Sequence, residues 1–182
     1  HEAYYKAAEY AHKISPSAEA ATGLGNMSYV KGDLDKAIEY YQEAVNLSTE
    51  DLDIADNLFR IAQVYYKKEQ YQNVRKYCKE SLAKNPAQGQ PHIMLGLVYA
   101  QAKVSDDPTL QKAVYWASVD QFAKAKSVEP TEDMVEQANK LIRTYSAYFP
   151  SKEEVFMHPD IEEGKSHFVG GWVSESTTVR SK

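Results

Sequence analysis

Apolar and small residues recur along most of the chain at helical spacing, and the same order of them returns three times. The first segment runs AEAATGLGNMSYVKGDLDKAIEYYQEAVNLST from Ala18, and the second NLFRIAQVYYKKEQYQNVRKYCKESLAKNP from Asn57. The third runs HIMLGLVYAQAK from His92 and continues AVYWASVDQFAKAKSVEP from Ala113. A large–small pair stands at Leu24–Gly25, Ile61–Ala62 and Leu95–Gly96. Ser28, Tyr65 and Tyr99 follow it, then Ala37/Tyr41, Val74/Cys78 and Ser118/Phe122, then the small residues Ala44, Ser81 and Ala125. Pro86 and Pro130 close the later segments, where the first has Thr49. Each segment predicts two antiparallel helices, with Gly or Ala at the crossing so that the backbones approach. One such pair cannot bury its own apolar face, so the units must stack.

The spacing is uneven in an informative way. Gly25 to Ala62 is 37 residues and Ala62 to Gly96 is 34, which places an extra turn of helix near Thr49–Asp53. Pro86 to Pro130 is 44, so ten residues are inserted near Val104–Lys112. There Asp107–Pro108 has the form of an N-cap followed by a first helical proline, and predicts one long helix from about Pro108 to Ser127. Residues 1–16 are expected to be the second helix of a partial unit, with full units at about 18–51, 52–88 and 89–130. A closing helix over 131–149 carries Met134, Ala138, Leu141, Ile142 and Tyr145 on one side. From Ser151 the pattern changes: Ser151–Glu154 fits a capping box opening a short helix over Lys152–Met157. Next, Phe168–Val169 and Trp172–Val173 flank two glycines as in a hairpin. An isolated hairpin is marginal in water, so this 150–182 tail is expected to lie on the chain's own helices, where it could occupy a groove and compete with ligands.

Composition narrows the function classes. The formal charge is −5 and neither sign forms a long run, which gives no basic face for nucleic acid. No stretch approaches the roughly 18 apolar residues needed to span a bilayer. Tyr is abundant, at 14 residues, and suits half-buried faces and binding surfaces. The single cysteine, Cys78, sits where the repeat places a buried aromatic, and reads as a small core hydrophobe. The five His have no metal-ligand spacing, so no metal or cofactor is expected. No phosphate-binding glycine loop or nucleophile elbow occurs, and the chain is expected not to be an enzyme. His158–Pro159–Asp160 spells a co-chaperone tripeptide without the domain that uses it, and Asn26–Met27–Ser28 and Asn46–Leu47–Ser48 match the glycosylation sequon inside predicted helices. All three are read as coincidences.

Over residues 1–149 the aligned landmarks resemble the tetratricopeptide repeat family. The resemblance implies an all-α fold, an α/α superhelical repeat array ending here in a short β-prone tail. It implies a concave groove lined by the first helix of each unit, which by position gives Asn26, Tyr29, Phe59, Arg60, Gln63, Tyr66, Lys67, Ile93, Leu97 and Gln101. In one subclass the groove grips a C-terminal carboxylate with Lys, Asn and Arg residues. Here Asn26 fits, but Thr22, Arg60, Gln90 and Met94 stand at the other positions, which disfavours that ligand. The expected function is a non-catalytic protein–protein interaction scaffold holding a peptide or partner helix. The alternatives are an envelope component binding a glycan or small ligand through Tyr-rich surface, or an oligomerisation module whose end faces self-associate. The AVYWASVDQFAKAK, YFPSKEEVF and GGWVSESTTVR segments resemble the C-terminal region of repeat proteins common in Bacteroidetes. That resemblance implies a periplasmic or cell-envelope location.

Overall fold

Ten helices and one two-stranded sheet make up the computed structural model, which describes residues 1–182. The chain divides into two units, His1–Pro86 and Ala87–Lys182.

The first unit holds α1 (Glu2–Ile14), α2 (Ala18–Lys31), α3 (Leu34–Leu47), α4 (Asp51–Lys67) and α5 (Tyr71–Lys84). Local chemistry sets several of these ends. The Ser17 hydroxyl accepts from the Ala20 N–H to open α2, and Gly32 closes it at φ 84°. That left-handed geometry suits a residue without Cβ. The Asp33 carboxylate then accepts from the Lys36 N–H and opens α3. At 17 residues α4 is longer than the 14 of α2, because it starts upstream, at Asp51.

Ala37, Tyr41, Ile61 and Val64 form the core of this unit, with Tyr29, Leu34, Ile38, Tyr65 and Tyr77 packed around them. At Ser28, where the later units carry Tyr, the space is filled from the preceding helix: Tyr5 is buried and its hydroxyl lies 2.8 Å from Ser28 Oγ. Polar contacts fasten α1 to α3. Glu9 accepts from Tyr40 at 2.5 Å and pairs with Lys36 at 2.7 Å. His12 Nε2 lies 2.7 Å from Glu43.

The second unit holds α6 (Gln90–Tyr99), α7 (Pro108–Gln111), α8 (Ala113–Val128), α9 (Glu132–Ser146) and α10 (Lys152–Met157), then β1 (Ser166–Val169) and β2 (Glu175–Thr178). Asp107 caps α7 as its sequence position suggests, accepting from Thr109 and Leu110 N–H. The single helix expected over Pro108–Ser127 is instead broken at Lys112. The reason is the Gln111 side chain. Its Oε1 accepts from Val104 and Ser105 N–H while its Nε2 donates to the Ala102 carbonyl. Closing that loop turns α7 away from α8 through tight bonds from Lys112 N–H to Thr109 and from Tyr115 N–H to Lys112. Ile93, Phe122, Ala125, Met134 and Ala138 form the core, joined by Leu97, Leu141, Ile142 and Tyr145.

The tail forms the expected hairpin with a longer turn. β1 and β2 are antiparallel, with Ser166 opposite Thr178 and Val169 opposite Glu175, so Gly170–Ser174 make the connection. The two glycines alone do not form the turn because the next residues are drawn inward. Val173 is buried, and the Trp172 ring meets Tyr99 at 6.1 Å. The hairpin lies on α8. Trp116 Nε1–H donates to the Arg180 carbonyl at 2.7 Å, and Arg180 returns bonds to the Trp116 carbonyl and to Asp120. Asp120 also accepts from Thr177 at 2.5 Å. Within the second unit the hairpin thus lies on α8, the second helix of its pair, and its turn reaches Tyr99 at the end of α6. No helix is long and apolar enough to cross a membrane.

Candidate functional site

Within the first unit a cleft of about 530 Å³ runs between α2 and α4, and Asn26 and Arg60 both line it. Its wall on α2 is Ala18, Glu19, Thr22, Gly23 and Asn26; its wall on α4 is Asp53, Asp56, Asn57 and Arg60. Helical spacing explains this. Positions 19, 22, 23 and 26 share one face of α2, and 53, 56, 57 and 60 share one face of α4.

The neutral polar groups in the cleft are largely tied down. Thr22 donates to the Ala18 carbonyl and to Asn57 Oδ1, and Asn57 donates to the Asp53 carbonyl. Asn26 accepts from the Tyr41 hydroxyl at 2.7 Å through Oδ1, which leaves its NH2 as the donor side. Further along the same two helices Lys67 sits over the Tyr29 ring at 4.9 Å, so these two expected groove residues also meet.

The other expected positions are placed differently. Gln63 is exposed and Phe59 half-buried, and neither lines the cleft. Tyr66 is also outside it, its ring near Tyr71 at 6.1 Å. In the second unit Ile93 is 3% exposed inside the core, and Leu97 packs against that core while staying partly exposed. Gln101 is exposed just beyond α6. Sequence reasoning missed Glu19, Asp53 and Asp56. Their offsets of one turn (Asp56) or two turns (Glu19 and Asp53) from Arg60 and Asn26 could have revealed them.

The remaining chemistry is structural. Burial pushes the Cys78 thiol well above its ordinary range, and the side chain is fully buried, so it is not a poised nucleophile. His158 accepts from the Asp160 N–H through Nδ1 and lies 3.1 Å from Asp107 through Nε2, which accounts for the tripeptide as a local turn. No group of three or more His, Cys, Asp or Glu side chains converges as a metal site would.

Comparison with known proteins adds a family match over part of the chain. Residues 16–87 match the tetratricopeptide repeat. No curated protein matches the sequence. Among solved structures, a chain of the APC/C Cut9–Hcn1 hetero-tetramer aligns with TM-score 0.59 at 17% identity, covering 76% of this chain and 25% of that one. The TPR2B domain of yeast Sti1, in a pHsp70 complex, aligns with TM-score 0.57 at 17% identity, over 71% of this chain and 96% of that one. The first tetratricopeptide domain of Spaghetti (RPAP3), bound to the HSP90 peptide SRMEEVD, aligns with TM-score 0.54 at 16% identity, over 73% of this chain and 93% of that one. At these identities the likeness is one of fold, and this chain spans a quarter of the length of the Cut9–Hcn1 chain.

Proposed function

Because residues 16–87 carry tetratricopeptide repeats and the chain has the fold of that family, we propose that it is a non-catalytic protein-interaction scaffold, holding an extended peptide or partner helix in the α2–α4 cleft. Tetratricopeptide domains are generally interaction modules. The observation that carries this reading is the cleft itself, a concave space between two first helices with Asn26 and Arg60 on its walls. The Sti1 and RPAP3 domains named above are peptide-holding relatives of the same fold. Their ligands are not transferred here, since Thr22 and Arg60 stand where a carboxylate-gripping groove has Lys and Asn.

A panel of immobilised peptides, probed with the intact chain and with Asn26→Ala/Arg60→Ala, tests the reading. Asn26 is exposed and Arg60 half-buried, and circular dichroism checks that the variant folds. Peptides retained by the intact chain and lost by the variant support the cleft. Retention of the same peptides by both proteins contradicts it.

A second reading, self-association, is favoured by a separate observation. A cleft of about 520 Å³ between α1 and α2 is lined by Tyr4, Tyr5, Met27 and Val30, with Tyr4 73% and Val30 85% exposed. Sedimentation of the chain as a monomer at high concentration would remove that reading.

A further inference from the structure

We infer that the outer face of α1 is a self-complementary dimer surface, packing antiparallel against α1 of a second copy of this chain. The inference rests on the second reading above, self-association, and names its face and its geometry. The repeat supplies the first observation. Twelve, eight and five residues before Pro130 stand Ser118, Phe122 and Ala125, and the same counts before Thr49 give Ala37, Tyr41 and Ala44. All six are buried, each set beneath the first helix of its own pair. The same counts before Pro16 give Tyr4, Ala8 and Ala11. Here Tyr4 and Ala11 are exposed and Ala8 is half-buried. The positions that the repeat covers elsewhere are open on α1, although this helix already buries Tyr5 and His12 on its inner side.

Ala3, Ala7, Tyr10 and Ile14 continue this outer face, and all are exposed. The helix α9 is different: it exposes Glu132, Glu136, Lys140 and Arg143, the polar outer side that closes a repeat array. Setting α1 of one copy on α9 of another would place apolar side chains on charges. Setting α1 on α1 matches like surfaces about a two-fold axis, as closed dimers do. Charge fixes the direction. Glu2 and Lys31 border one end of the α1–α2 cleft. At the other end are Lys13, in the last turn of α1, and Glu19, in the first turn of α2. Antiparallel packing brings Glu2 towards Lys13 of the second copy and Lys31 towards its Glu19, whereas parallel packing brings each towards its own like charge. It also sets Tyr4 opposite Ala11 and Ala7 opposite Ala8, large against small, so the helices approach closely. Glu2, Lys13, Glu19 and Lys31 are exposed, so they orient the pair while the apolar face supplies the affinity.

The test joins sedimentation equilibrium to cysteine cross-linking. The intact chain is expected to dimerise. Ala7→Glu, at an exposed position beside the two-fold axis, sets two like charges together and is expected to weaken the dimer about tenfold or more, while Thr144→Glu on α9 leaves it unchanged. Ala7→Cys is expected to link to its own copy under mild oxidation. Tyr4→Cys is not, because its copy lies about 10 Å further along the helix, beyond the ~7 Å that a disulfide spans. A mixture of Tyr4→Cys and Ala11→Cys chains is expected to link. The intact chain, whose one cysteine is the buried Cys78, is the unlinked control. A monomer at high concentration overturns the inference and the self-association reading together, and leaves the face to a helix of another protein. A dimer insensitive to Ala7→Glu keeps self-association and overturns the pairing through α1. Linking of Tyr4→Cys to itself overturns the antiparallel geometry. Circular dichroism of each variant separates lost pairing from lost fold.

Discussion

The ring of Tyr41 occupies the space in which a side chain at Gly25 would begin. A Cβ built on Gly25 would stand 2.5 Å from the ring's Cε1 and 2.6 Å from its Cδ1. Gly96 has the same relation to Phe122. The equivalent pair in the middle unit is Ala62 and Cys78, both fully buried. The small position and its partner thus trade volume, Gly with an aromatic ring and Ala with a thiol. Gly25→Ala gains about 1 kcal/mol of helix propensity but overpacks the crossing at a cost of about 1–3 kcal/mol. It is expected to lower stability in urea unfolding. Adding Tyr41→Cys copies the Ala62/Cys78 pair, and the double variant is expected to lose less than the two single losses combined. Strict additivity would mean that the two positions do not share one space.

Asp120 is the point at which the tail is fastened, accepting from Thr177 and from Arg180. Thr177 is buried, so Asp120→Ala leaves its hydroxyl without that acceptor. The expected cost is about 1–3 kcal/mol. Hydrogen exchange should report it as faster opening of β1 and β2. Unchanged protection there would contradict the docking.

Glu154 makes one pH-sensitive contact of the second unit. Its bond with Lys112, helped by the Ser151 N–H, holds the carboxyl down at about 2. A depressed folded value contributes stability above the ordinary carboxylate range, and that stability is lost as pH falls toward the folded value. The end of α10 nearest Ser151 is therefore expected to loosen as the solution is acidified from about 4 toward 2. Amide shifts of Ser151–Val155 followed through this range check it, and Glu154→Gln should remove the dependence.

Cys78 is buried and its thiol is held protonated by desolvation. Aromatic disulfide reagents are expected to leave it unmodified in the native chain and to label it at the rate of opening in denaturant. Rapid native labelling would place Cys78 at a surface.

The repeat was legible because close backbone crossings leave a periodic mark: Gly25, Ala62 and Gly96 with their partners are spaced by the fold itself. The capping signals at Asp107 and Ser151 were legible for a similar local reason, since cap and first turn are sequence neighbours. What could not be read depended on contacts between distant segments. The break at Lys112 follows from Gln111 closing a loop back to Ala102. The longer hairpin turn follows from Trp172 reaching Tyr99. In the candidate site, position alone picked out Asn26 and Arg60, but it treated Ile93 as groove lining when α9 and its Met134 cover it. Glu19, Asp53 and Asp56 join the cleft lining only because α2 and α4 are set side by side.

The most direct measurement is amide chemical-shift mapping of the intact chain during titration with a peptide that the immobilised panel retains. The account predicts saturable shifts concentrated at Glu19, Thr22, Asn26, Asp53, Asp56, Asn57 and Arg60. Shifts confined to Tyr4, Met27 and Val30, or spread over Glu153, Glu162 and Glu163, would contradict it.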